Sequence, residues 1–374
     1  MGQEQKRTVK RAKAPKQRRR MRYGLFLLGG LILIAACLIL VLTRKADLAA
    51  SSVSLPFSAN DSYALCDKGI VYYKDGAIHA LNTSGDEMWY SDFAGENVKI
   101  AASSSLVAVC TPSTLHVFNQ KGEELFTREF LGTISSVSCS DSLVCVYRKT
   151  TKGSDISVIN NAGADVNTID MGTQNAVALG IDDKLQMIWT LTLDTSADTP
   201  VTRISTYSGG STINGLITVD THLVKGALFS EGEVYALGST HVMCYDYKGS
   251  MLSSQLVYGW NVEDASMGAN KKPLLILTPR TKGSAGSFAY PMARLISYGV
   301  SESLLYLPSE CFQVQLGNEK IYCFTPKAVH VYNLNGEEKD SYPLGITIDR
   351  VSKPFGGNYV LAFSGQACTL IPLP

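Results

Sequence analysis

The chain has 374 residues, 45% of them hydrophobic and 18% charged, with a formal net charge of +1. That near-zero total joins two opposed parts: ten Lys and Arg against one acid, Glu4, in residues 1–22, and 22 basic against 32 acidic residues in 46–374. The basic excess is confined to the first 22 residues, so a partner drawn by positive charge is sought there.

Those 22 residues are read as a basic cytoplasmic tail. Such a run can meet nucleic acid, but beside a membrane span it meets anionic lipid, so lipid is the expected partner and nucleic acid is not. Gly2 does not make a myristoylation site, because Lys6 stands where that motif needs Ser or Thr. Residues 23–43, YGLFLLGGLILIAACLILVLT, carry no charge. At ~1.5 Å per residue they reach ~31 Å as a helix, enough to cross the ~30 Å hydrocarbon core of a bilayer. The positive-inside bias then keeps the amino terminus in the cytoplasm and puts everything after Thr43 outside, making this a single-pass protein of the cell membrane. Ile34-Ala35-Ala36-Cys37 resembles the lipobox of bacterial lipoproteins, and cleavage before Cys37 stays open as an alternative. Either route tethers the large domain to the outer face. Residues 44–52 are read as a linker.

From residue 53 to 374 the pattern is all-β: short alternating runs rich in Val, Ile, Tyr and Thr, with no apolar period of 3.6. A unit recurs as GIVYYKDGAIHALNTSGDE (69–87), LVAVCTPSTLHVFNQKGEE (106–124) and KIYCFTPKAVHVYNLNGEE (320–338), with weaker copies at 143–165, 185–211, 233–250 and 274–301. Each copy ends in a turn glycine: Gly85, Gly122, Gly163, Gly210, Gly249, Gly299 and Gly336. In the best copies Asn82, Asn119, Asn160 and Asn333 precede the glycine by three. Asn opens a turn through its side chain and Gly supplies positive φ, so these residues are turn grammar rather than a ligand loop.

A preceding strand is expected at 98–101, 134–139, 176–180, 224–229 and 346–351, which makes each unit four antiparallel strands in about 40 residues, the size of a propeller blade. With a last strand pair at 359–363 and 368–371, the reading is an eight-bladed β-propeller, seven being the alternative. The last unit lacks a fourth strand. Residues 52–57 alternate, with Val53, Leu55 and Phe57 on one side and an edge-favouring Pro56, and are expected to pair antiparallel with 368–371 and close the ring.

ALNTSGDEMW (80–89) resembles the repeat of quinoprotein-type β-propellers, also found in membrane-bound assembly lipoproteins; units two and seven have Phe126 and Tyr342 near the place of Trp89. The whole chain is similar to bacterial envelope proteins that join a single-pass anchor to a propeller. The resemblance implies two alternatives: a quinone-cofactor-dependent oxidoreductase or a lipoprotein-type assembly factor. Enzymes of that kind have Trp in nearly every blade and a calcium site of carboxylates and amides, whereas this chain has only Trp89, Trp189 and Trp260.

Other chemistry is sparse. His79, His116 and His330 share one repeat position and are read as buried structural residues; His222 and His241 lie elsewhere. Of the cysteines after Cys37, most stand inside strand runs as small hydrophobes, while Cys139/Cys145 and Cys311/Cys323 flank hairpins and could be bridged. Tyr207-Ser208-Gly209-Gly210 lacks the residues of a phosphate loop. Residues 152–154, 282–287 and 301–303 are read as polar loops, with the longest insertion around Gly283. No catalytic, cofactor-binding or metal-binding residue is predicted. The expected function is binding of, or scaffolding for, a protein, peptide or cell-wall polymer.

Overall fold

The computed structural model of the protein describes residues 48–182, 184–196, 200–208, 212–283 and 286–374. The expected span, the basic tail, Cys37 and the turn residue Gly210 lie outside the described residues. Among the described residues, no helix is long and apolar enough to cross a membrane.

Eight four-stranded antiparallel sheets follow one another along the chain. Blades 1 to 7 cover 63–92, 99–129, 133–172, 176–219, 224–256, 260–306 and 313–343, each with strands in sequence order. Blade 8 takes its first three strands from Arg350–Val351, Tyr359–Ser364 and Ala367–Pro372, and its fourth from Val53–Ser58. The closing pairing is the one expected, with Val53 opposite Leu370 and Ser58 opposite Ala367. Ahead of it, Leu48–Ser51 forms one helical turn whose Leu48 is 1% exposed, packed in the cluster between blades 7 and 8. Residues 301–303 are not a loop but the start of the fourth strand of blade 6, Ser301–Tyr306.

The core is distributed between blades. Eight buried clusters form, each drawn mainly from two neighbouring blades. The second strand of blade 2, Leu106–Cys110, shows why: Val107 and Val109 face blade 1 while Leu106, Ala108 and Cys110 face blade 3. A strand covered on both faces has no polar position to alternate with, so it is apolar throughout.

The repeat turns hold this register. Asn82 Oδ1 accepts from the backbone N–H of Ser84 (2.8 Å) and Asp86 (2.9 Å), and Asn119, Asn160 and Asn333 repeat the arrangement. In blade 5 Asp246 takes the Asn place, accepting from Lys248 and Ser250. The turns of blades 2 and 3 also receive a side chain from the preceding blade. Trp89 covers Gly122, where a Cβ would stand 2.7 Å from its ring, and Phe126 covers Gly163. Trp89 Nε1 donates to the carbonyl of Gln120 at 3.1 Å. Phe126 is thus the true counterpart of Trp89, whereas Tyr342 lies opposite Val329, beyond that place.

Candidate functional site

The ends of the ring differ. At the turn end lie the turns joining first to second and third to fourth strands; at the connection end lie the turns joining second to third strands and the links between blades. A cavity of about 970 Å³ opens at the turn end, built from the first turns of blades 4 to 7. Its apolar wall includes Leu185, Phe229, Met267, Leu274, Leu316 and Leu334. Among the described residues its charged groups are Asp182, Glu231 and Glu319 against Lys184, Lys271 and Lys320, three of each sign. The Lys271–Glu231 pair (3.0 Å) is mostly exposed and adds little stability.

These turns are conformationally special. Of the six non-glycine residues with positive φ among those described, Gln186, Lys271, Asn318 and Glu319 belong to the turns around this cavity. Asn318 and Glu319 adopt it in succession, the geometry of a tight two-residue hairpin. Such a conformation costs a residue with a Cβ roughly 1–2 kcal/mol, and departures of this kind concentrate at binding sites. Apolar side chains add to the surface at the same end, where Ile213, Met251, Leu252 and Val300 are each more than half exposed. An apolar hollow with a charge-balanced rim suits a segment of polypeptide better than a polyanion or a metal ion.

Below the cavity, blades 6 to 8 are tied by polar groups that sequence patterning missed. Asp264 is 7% exposed; its carboxylate accepts from the N–H of Leu316 (2.8 Å) and Ala265 (2.9 Å) and pairs with Lys353 Nζ at 3.2 Å. Gln313 donates to the carbonyl of Val351 and accepts from its N–H, both at 3.1 Å. Only the oddity of an acidic pair, Glu263-Asp264, in an inner strand hints at this from sequence.

The repeat histidines are not buried structural residues. Their side chains are about one-fifth exposed, and each meets the Glu eight residues on: His79–Glu87 (2.9 Å), His116–Glu124 (3.2 Å) and His330–Glu338 (2.8 Å). The offset places His and Glu on adjacent strands of one hairpin, a cross-strand pair that the sequence spacing permits but does not announce. His222 is the buried one, 8% exposed, 5.7 Å between ring centres from His241. None of the eight cysteines among the described residues is in a disulfide, so neither Cys139/Cys145 nor Cys311/Cys323 is bridged. Burial pushes the thiols of Cys110, Cys145 and Cys368 up to about 12.

The three tryptophans do not fit a stacked quinone. Trp89 covers Gly122, Trp189 lies against Gly180 and Phe229, and Trp260 carries the guanidinium of Arg294. All three are committed to packing in separate blades. Among the described residues no group of three His, Cys, Asp or Glu could hold a metal ion.

The closed ring of eight sheets defines an eight-bladed β-propeller, and with the hollow at its turn end it is of the kind that fits a binding or scaffold module. The chain belongs to the family of unknown function DUF5711, whose model matches residues 48–373 and so begins at the buried Leu48. A comparison with curated proteins by sequence gives no match. Among solved structures the fold is similar to that of BamB from Moraxella catarrhalis (14% identity, TM-score 0.53, covering 86% of this chain and 98% of that one). It is also similar to Saccharomyces cerevisiae Sqt1 (12%, 0.59, 88% and 100%) and to the dihydro-heme d1 dehydrogenase NirN (11%, 0.54, 86% and 75%). At these identities the likeness concerns the fold alone.

Proposed function

We propose that the protein is a single-pass membrane protein whose extracytoplasmic propeller binds a segment of a partner protein at the turn end, without catalysis. The cavity carries this reading: an apolar hollow spanning four blades, edged by balanced charges and by turns held in costly conformations. In this scheme residues 1–22 form the cytoplasmic tail on anionic lipid, 23–43 span the bilayer, 44–52 link, and 53–374 form the binding domain. Nucleic acid has no part in it.

A photo-crosslinking side chain at Leu334, in the full chain in its native membrane, tests the binding reading. It should give a discrete adduct that disappears when Met267→Glu places a charge in the apolar wall. The same probe at Leu125, on the outer strand of blade 2, should not give it. An adduct pattern common to both positions, or one indifferent to Met267→Glu, defeats the reading. Topology is tested separately: protease added outside intact cells should remove an epitope at Pro374 and spare one at Met1.

A further inference from the structure

At the connection end, between blades 5 and 6, a second cavity of about 410 Å³ is ringed by Lys225, Arg280 and Lys282. Lys225 comes from the first strand of blade 5, Val224–Ser230, and the other two from the long connection after the second strand of blade 6, Pro273–Pro279. All three cations are held by neutral groups. Lys225 Nζ donates to Asn261 Oδ1 at 2.6 Å. Arg280 donates to the carbonyls of Trp260 (3.2 Å) and Ser239 and lies over the ring of Tyr258. Lys282 donates to the carbonyl of Phe312 at 3.0 Å, with its ammonium 3.6 Å from the ring centre of Phe288.

No ion pair within 4 Å among the described residues joins these three to a carboxylate, although Glu263 in the wall acts on Lys282 electrostatically. The acid in the cavity wall, Glu263, sits where the first strand of blade 6 bulges, with Thr278 Oγ1 donating to it at 3.1 Å. Burial holds its carboxyl above the usual range, which weakens its service as a counter-ion. Three like charges fixed around one hollow repel one another, and an anion that enters relieves the repulsion.

We infer that this pocket is a phosphate-binding site, with Arg280 supplying forked donors and Lys225 and Lys282 point charges. Its volume suits a phosphorylated small molecule or a lipid headgroup. A lipid source rests on the membrane span proposed above and on Ala49, which packs against Gly345 in the link between blades 7 and 8, at the end where this pocket opens. The site lies at the opposite end from the proposed protein-binding cavity and does not depend on it.

Titration calorimetry on the full chain in uncharged detergent, with inorganic phosphate as probe, tests the inference, alongside binding to phosphatidylglycerol vesicles against phosphatidylcholine vesicles. The double variant Lys225→Gln, Arg280→Gln should weaken phosphate binding at least tenfold. Glu263→Gln, which removes the one opposing charge, should tighten it several-fold, and Lys152→Gln in blade 3 should change nothing. If free phosphate does not bind but attachment to phosphatidylglycerol vesicles weakens in the double variant, the phosphate is that of a lipid and the site stands. The inference is overturned if neither probe responds to the double variant, or if Glu263→Gln weakens binding.

Discussion

Ring closure rests on one strand contributed from the far end of the chain, and Phe57 is its anchor. Phe57 is 3% exposed, stacks on Tyr72 at 4.6 Å between ring centres, and lies 5.7 Å from Tyr63. With Leu55 it joins the cluster that seals blade 8 to blade 1, among Ile70, Leu361 and Phe363. Phe57→Ala leaves a cavity there and should cost about 3–5 kcal/mol, and Leu55→Ala about 2–5 kcal/mol. The two touch one cluster, so their effects should not add. Against a typical stability of about 5–15 kcal/mol, deleting residues 48–58 removes both side chains, the ladder to Ala367–Pro372 and the plug of Leu48. The shortened chain should therefore fail to fold as a monomer and aggregate through the bared edge. Urea denaturation followed by tryptophan fluorescence measures the point variants, with Met88→Ala on the exposed outer strand of blade 1 as a control expected within about 0.5 kcal/mol. A synthetic peptide of residues 48–58 should restore the melting transition of the shortened chain. Equal stability of full and shortened chains would falsify closure as the source of integrity.

Three further outcomes are expected. Gly122→Ala should destabilise by at least about 1–2 kcal/mol, since φ is +82° and the new Cβ would strike the Trp89 ring; an unchanged denaturation midpoint would remove that ring from the blade contact. Cys110, Cys145 and Cys368, their thiols held near 12, should resist iodoacetamide at pH 8 in the native protein and react in urea, so rapid native labelling at any of them would contradict the burial described. The folded pKa of His222 lies below its ordinary 6.5, through burial first and the neighbouring His241 second, so below pH 6.5 the unfolded chain binds the proton more readily. The stability this contributes is complete above pH 6.5 and is lost as pH falls through the folded pKa. His222→Gln should flatten that part of the pH profile, and an identical slope in the variant would exclude His222 as its cause.

How much of this was legible in the sequence follows from the range of each interaction. Alternation, the Asn-to-Gly spacing and the tandem units act within one hairpin, and a residue's neighbours along the chain are enough to express them. They yield four strands per blade, eight blades, and even the closing pair, because an unmatched strand at one end of the chain and an unmatched edge at the other leave a single solution. The repeat histidines look buried from sequence because their partner is eight residues away, across a turn, and only the opposite strand offers the Glu. Asp264 reaching the N–H of Leu316, 52 residues on, left only the trace of an acid in an inner strand. The two cavities left none. Leu185 and Leu334 come to line one hollow, and Lys225 and Arg280 another, only after blades are set side by side around the ring. The repeating unit is legible along the chain because strands and turns are local, and the eight-fold count, preferred there over seven, is settled by the sheets themselves; which surfaces are hollow and which cations lack a close carboxylate depends on what the closed ring brings together.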